Sequence, residues 1–212
     1  MKKSVLWAIA AFLFVLVAGV SLYSFANPSE LETCKYEINE NFNDITVIAD
    51  TADIQIIISE NANSYVVCEE ENSAKHSVVV KENMLRVETD DNSKWYENLK
   101  VNLHTPKITV YLGKSECGNI SLKTDTGNVF LENVIATGKL SIDIDTGNVD
   151  FEACDASEIY IKTDTGNVTG SFLTNKVVFA ESETGKIDIP KVLADEKCEI
   201  VTKTGNIKIT IK

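Results

Sequence analysis

Thr-Gly recurs at Thr126-Gly127, Thr146-Gly147, Thr165-Gly166, Thr184-Gly185 and Thr204-Gly205, at intervals of 20, 19, 19 and 20 residues. Three copies read Asp-Thr-Gly-Asn-Val, beginning at Asp125, Asp145 and Asp164, and Lys203 to Ile207 is a close variant. Apolar or small residues fall seven and five positions before each glycine: Ile120 and Leu122, Leu140 and Ile142, Ile159 and Ile161, Val178 and Ala180, Cys198 and Ile200. They return two and four positions after it: Val129 and Leu131, Val149 and Phe151, Val168 and Gly170, Ile187 and Ile189, Ile207 and Ile209. Val134, Cys154, Leu173 and Val192 stand seven after it. Period-two alternation on both sides of a turn marks strands with one buried face. So short a unit cannot bury that face alone, so copies must stack. The fold expected is all-β, a parallel β-solenoid of five rungs over residues 120–212, with Gly127, Gly147, Gly166, Gly185 and Gly205 at its structural turns.

Four residues before the glycine, successive copies carry Lys123, Asp143, Lys162 and Glu181. In-register stacking at about 4.8 Å would set these charges above one another with alternating sign. That predicts that rungs adjacent in sequence are adjacent in space. One degenerate copy fits upstream, with Ala52 in the glycine position and Ile45, Val47, Ile54 and Ile56 on the apolar columns. Residues 45–119 therefore read as a β-rich region holding this rung and a hairpin, Ser77–Lys81 and Met84–Glu88 around a Lys-Glu-Asn turn. Asp90–Glu97 reads as a loop, while Val101–His104 and Ile108–Leu112 alternate again.

Lys2 and Lys3 precede an apolar run with no charge before Glu30. Val5 to Ala26 as a helix would span about 33 Å, enough for a hydrocarbon core of about 30 Å. The lysines place residues 1–4 in the cytoplasm and everything after Asn27 outside it, beyond a linker at 27–44. Two readings of residues 5–26 stand: an uncleaved single-pass transmembrane anchor, which the length favours, and a signal peptide cut after Ser24-Phe25-Ala26. Either way the localisation expected is the cell membrane, with the C-terminal domain extracytoplasmic.

Thirty-two acidic against twenty basic residues give a formal charge of −12. Phosphate neutralisation needs a basic patch, so nucleic acid is not an expected partner. The five cysteines, Cys34, Cys68, Cys117, Cys154 and Cys198, are odd in number and lack a Cys-x-x-Cys pair. A disulfide framework or zinc site is therefore not expected, and Cys154 and Cys198 read as core residues. His76 and His104 have neither a nucleophile motif nor a metal-ligand spacing beside them. No catalytic residue, cofactor or metal site is expected. The column Asp125, Asp145, Asp164, Glu183 and Lys203, with Asn128, Asn148 and Asn167 beside it, has two readings. It serves the turns through bonds to its own backbone, or it offers oxygens to Ca²⁺. Trp95 and Tyr96, aromatic in a polar loop, are candidate binding residues together with Asp125, Asp145 and Asp164.

The repeats through Thr204-Gly205-Asn206-Ile207, the Lys94-Trp95-Tyr96 segment and Lys107–Leu112 resemble the bacterial putative-adhesin family of unknown function. The resemblance covers Ile45 to Lys212. It implies a β-strand repeat behind an N-terminal membrane segment and no established catalytic residues; some members accompany envelope-stress signalling operons. The function expected is a non-enzymatic cell-envelope binding, adhesin-like or scaffold module. The alternative is an accessory regulator of envelope-stress signalling through protein contact. Expected partners are the cytoplasmic membrane, through the N-terminal helix, and a cell-wall polymer or envelope protein. The sequence stops just after Ile207, Ile209 and Ile211, which predicts an open edge at the C-terminal rung and weak self-association through it, tempered by Lys208 and Lys212.

Overall fold

The computed structural model describes residues 31–71, 75–89 and 105–212, and every regular element in them is a β-strand. Among these residues no helix is long and apolar enough to cross a membrane. The apolar run at 5–26 and the Asp90–Glu97 loop lie outside the described residues.

The chain opens with β1 (Leu31–Ile38), β2 (Asp44–Thr51), β3 (Asp53–Ile58) and β4 (Ser64–Glu71). β5 (His76–Lys81) and β6 (Met84–Thr89) form an antiparallel hairpin whose turn residues Glu82 and Asn83 take φ of 52° and 63°. β7 (Lys107–Leu112) and the two-residue β8 (Glu116–Cys117) lead into the repeats. These supply β9 (Ile120–Thr126), β10 (Val129–Glu132), β11 (Ile135–Thr146), β12 (Val149–Thr165) and β13 (Val168–Phe172). The last four strands are β14 (Val177–Ser182), β15 (Ile187–Asp188), β16 (Lys197–Thr204) and β17 (Ile207–Ile211).

Each rung contributes one strand to each of two sheets, and the Thr-Gly turn carries the chain between them. Parallel, in-register pairing builds the sheets: Val129 faces Ile54 on one side and Val149 on the other, and Leu140 lies between Ile120 and Ile159. The inward columns meet in a single core in which Ile45, Ile120, Leu140, Ile159 and Cys198 are all buried. Burying one such aliphatic side chain is worth about 1.5–3 kcal/mol, and stacking repeats that gain rung after rung.

The degenerate rung stacks directly on the first full one, β2 on β9 and β3 on β10, although some 75 residues separate them in sequence (Ala52 to Gly127). β6 and β7 then form a further layer on β2 and β3. Beyond it, β5 pairs antiparallel to β6, while β4 pairs antiparallel to β7 and β1 pairs antiparallel to β4. Leu31–Ile38, read from sequence as linker, is thus the outer strand of a cap: Cys34, Tyr36 and Ile38 turn inward while Glu32, Lys35 and Glu37 face water.

The order of the last two rungs departs from the sequence expectation. β16 pairs with β12 on one side and β14 on the other, and β17 lies between β13 and β15. The Cys198–Ile209 rung is therefore inserted between the Ile159–Gly170 and Val178–Ile189 rungs. Consequently the charge ladder runs Lys123, Asp143, Lys162, Val201, Glu181, and its alternation ends at Val201. The expected open edge at the C-terminal strand is corrected in part: β17 pairs with β13 along its length and with β15 at Ile207 and Lys208, and the backbone N–H of Lys212 donates to the Phe172 carbonyl at 2.9 Å. Leu173, expected inside, is exposed, because a register shift puts Phe172 opposite Cys154 and gives it the core position. Phe172 stacks on Phe151 with ring centroids 4.9 Å apart, and Gly170 is small because the Phe151 ring fills the place of its Cβ.

Candidate functional site

The turn column is the most regular feature the repeats build. A Cβ on Gly147, where φ is +153°, would stand 1.8 Å from the Gly127 carbonyl oxygen, so the backbones of successive rungs touch at this point. Close approach of backbone to backbone is a reason for glycine beyond its conformational freedom. Gly127, Gly147, Gly166, Gly205 and Gly185 follow one another up the stack in that spatial order.

Asparagine rungs run beside the glycines. Asp53 Oδ1 accepts the Asn128 N–H at 2.7 Å, Asn128 Oδ1 the Asn148 N–H at 3.0 Å, and Asn148 Oδ1 the Asn167 N–H at 2.9 Å. Asn167 Oδ1 then accepts from Asn206, and Asn206 Oδ1 from the N–H of Lys186, both at 2.8 Å. Asn128 and Asn148 each accept a second bond from the side-chain amide of the next asparagine at 3.2 Å. Their oxygens are spent on the neighbouring rung, not on their own turn, and are not free to ligate a cation.

Of the acidic column, Asp125 and Asp145 are exposed and Asp164 is half-buried. Rung insertion puts Lys203 in the layer between Asp164 and Glu183, with its Nζ 2.5 Å from Asp164 Oδ2. The hydrogen bond from that ammonium, with its charge, holds the Asp164 carboxyl below the usual carboxylate range. Trp95, Tyr96 and His104 lie outside the described residues.

The outer sheet faces carry two shallow grooves. One, of about 550 Å³, is lined by Phe130, Asp150, Thr169, Lys208 and Lys212, with Lys212 Nζ 2.7 Å from Glu152. The other, of about 690 Å³, is lined by Tyr160, Phe179, Glu196, Lys197 and Glu199. At the far corner of the rungs, fully buried Lys176 bridges Asp155 Oδ1 at 2.5 Å and also pairs with Glu196.

The cap brings together residues that sequence reasoning kept apart. Cys34 and Cys68 face each other across β1 and β4, and Cys68, Glu70 and His76 hold their ligand atoms within 4.8 Å of one another, all three buried. Glu70 Oε2 accepts the His76 backbone N–H at 2.8 Å and lies 2.8 Å from His76 Nδ1. Burial, with the Glu70 carboxylate and Cys34 adding to it, pushes the Cys68 thiol up to about 12. Burial and the neighbouring carboxylate both disfavour the Cys68 thiolate, the form a nucleophile requires. The β-branched and aromatic run Tyr65-Val66-Val67 was the available signal for β4, and the Cys34–Cys68 register could not be read without it.

The family model Toastrack DUF4097 matches residues 42–212. No curated protein matches the chain. Among solved structures, a putative cell adhesion protein from Clostridium sporogenes ATCC 15579 aligns with TM-score 0.64 and 14% identity, over 86% of this chain and 100% of that one. A putative adhesin from Bacteroides fragilis NCTC 9343 aligns with TM-score 0.40 and 17% identity, over 84% and 96% of the two chains. The first of these likenesses shows a shared fold. With four-fifths of its length, from the degenerate rung to Lys212, matched by one family model, the chain belongs to the Toastrack DUF4097 family.

Proposed function

We propose that this chain is a membrane-anchored, extracytoplasmic β-repeat module that binds or scaffolds at the cell envelope, without catalysis. The observation carrying the proposal is the pair of outer sheet faces, on which in-register rungs repeat the same side-chain positions over the length of the stack. Such a surface matches an extended, repeating ligand, since each rung can meet one repeat of it. Asp143–Lys162 at 3.3 Å and Lys139–Glu158 at 3.0 Å line one face with paired charges, which suits a polar polymer better than an apolar one. Wide, shallow grooves are the concavities of these faces, whereas catalytic sites are usually enclosed. The Clostridium structure is named for cell adhesion, which agrees with this reading. Membrane anchoring rests on the Val5–Ala26 run and its flanking lysines.

Full-length chain in detergent, presented to purified cell-wall polymers alongside a pull-down from solubilised membranes, tests the proposal. Saturable polymer binding weakened by charge reversal at Lys139 and Lys162 is the expected result. Retention of a membrane protein with no polymer binding would replace it with the regulatory alternative. Glycan release by the chain would overturn the non-enzymatic part.

A further inference from the structure

We propose that Cys68, Glu70 and His76, completed by Cys34, bind one zinc-class divalent cation that clamps the two sheets together at the capped end of the stack. The residues come from three strands. Cys34 lies on β1, Cys68 and Glu70 are two apart on the inward face of β4, and His76 begins β5 in the opposite sheet. β1 and β5 are the outermost strands of their sheets at this end, so a shared ion would tie edge to edge.

Burial gives the first argument. Glu70 is 0% exposed, and a covered carboxylate needs a counter-charge or a full set of donors. Among the described residues its second oxygen accepts a weak bond from the Tyr36 hydroxyl at 3.4 Å. The thiols of Cys34 and Cys68 and the imidazole supply no positive charge unless the histidine is protonated. A divalent cation supplies it directly.

Geometry gives the second. Tetrahedral ligation at about 2.0–2.3 Å separates ligand atoms by about 3.3–3.8 Å. The atoms of Cys68, Glu70 and His76 fall within 4.8 Å of one another, and the shortest separation recorded among them, His76 Nδ1 to Glu70 Oε2, is 2.8 Å. Opening that one contact by about half an ångström while drawing the others in gives the required spacing. Cys34 lies directly opposite Cys68 on β1 but outside the 4.8 Å group, and its thiol would move inward to take the fourth corner. Two sulfurs, one imidazole and one carboxylate select zinc-class ions over Ca²⁺ or Mg²⁺, which prefer oxygen.

The charge and proton balance follow. Binding M²⁺ releases one proton from each thiol, leaving two thiolates, one carboxylate and a neutral imidazole, with a net charge of −1. Lys75, paired with Glu32 at 3.5 Å and acting on Cys34, sits at the rim to offset it.

The experiment uses full-length chain in detergent, reduced and stripped of metal, then titrated with Co²⁺. One equivalent should produce a thiolate-to-cobalt charge-transfer band and the intense visible bands of a tetrahedral site, displaced by Zn²⁺. Cys198→Ser should keep the bands, whereas Cys68→Ser and His76→Gln should weaken binding by about 100-fold or more, beyond the 10–100-fold typical of outer-shell partners. Should those variants misfold, wild-type protein carries the test: one equivalent of Zn²⁺ should slow alkylation of half-buried Cys34 at least about tenfold, as expected when a thiolate is ligated. Absence of the charge-transfer band in wild type, its loss in Cys198→Ser, or purification of the chain with a Cys34–Cys68 disulfide would each overturn the proposal.

Discussion

Replacing Lys176 with Met tests what holds the inserted rung in place. Lys176 precedes β14, Glu196 precedes β16, and Asp155 lies in β12, so one buried ammonium joins three rungs at a corner. Methionine keeps much of the apolar stem and removes only the charge. Asp155, with a 10% exposed side chain, would keep the Ala156 N–H at 2.8 Å as a donor, while its Oδ2, already covered and without a partner, would gain none. Breaking a buried pair from one side costs about 3–5 kcal/mol, and this site falls within that range. Glu196, 45% exposed, can turn to water and adds little. Asp155→Asn should cost less, about 1–2 kcal/mol, because the ammonium retains Glu196 and Thr174. The double variant Lys176→Met, Asp155→Leu removes both buried charges and should return to within about 1 kcal/mol of wild type. Urea unfolding of wild type, Lys176→Met, Asp155→Leu and the double variant, accepted only where the denaturant slope is unchanged, gives the coupling energy, with Asp155→Asn measured beside them. A Lys176→Met loss below about 0.5 kcal/mol would show that the corner is not held by this charge. Simple additivity in the double variant would show the same.

Gly147→Val should destabilise by about 3–5 kcal/mol. Backbone strain contributes about 1–3, and the rest comes from ladder bonds opened where its Cβ would meet the Gly127 carbonyl; an unchanged melting temperature would refute it. Cys154 and Cys198, both 0% exposed and with thiols pushed up by burial to about 11 and about 12, should resist a bulky thiol reagent until the protein unfolds. Rapid native labelling would contradict the register. Ile209→Lys puts an ammonium at a buried position and should lower the unfolding midpoint without changing the sedimentation coefficient of the folded form; dissociation of an oligomer with stability intact would restore the edge reading. The folded pKa of Asp164 lies below its unfolded value, so its contribution is full above the usual carboxylate pKa and is lost as pH falls through the lower, folded value. Stability profiles of wild type and Lys203→Gln should therefore differ at neutral pH and converge in acid, and a gap persisting in strong acid would refute this.

Strand phase and turn position were legible because they depend on local spacing. Every second residue on either side of the Thr-Gly turn is either inward or outward, and that is settled within one rung. Rung order was not legible in the same way, because any rung presents nearly the same apolar columns and fits on any other. Three residues nevertheless marked it. Lys186 stands where the other repeats have asparagine, so the Val178–Ile189 rung can receive the ladder through its N–H but cannot pass it on with an amide oxygen. Asn206 can pass it on, which suits an interior place. Lys203 separates two acids only if its rung lies between them. The cap cluster was hidden for another reason: its members are brought together by antiparallel register and by contact across the two sheets, and neither leaves a spacing signal.

Insertion of the last rung also changes which backbone is left open. Had the rungs stacked in sequence order, β17 would have ended the first sheet with Ile207, Ile209 and Ile211 beside unpaired backbone, a hydrophobic edge of the kind that recruits other chains. In the observed order that strand is paired along its length with β13 and, at Ile207 and Lys208, with β15, so the described edge at this end consists of β14, β15 and the Ile209–Ile211 half of β17. β15 is two residues long, and the edge carries Glu181, Glu183, Lys186 and Asp188. Short strands and charges are the usual means of keeping an edge from pairing. The arrangement covers the first residues of an apolar strand with a charged rung, and it does so late in the chain, since the Val178–Ile189 rung must leave space for one that follows it. Lys176 and Glu196 stand at the two ends of that detour, where their pairing closes the corner only once both rungs are in place.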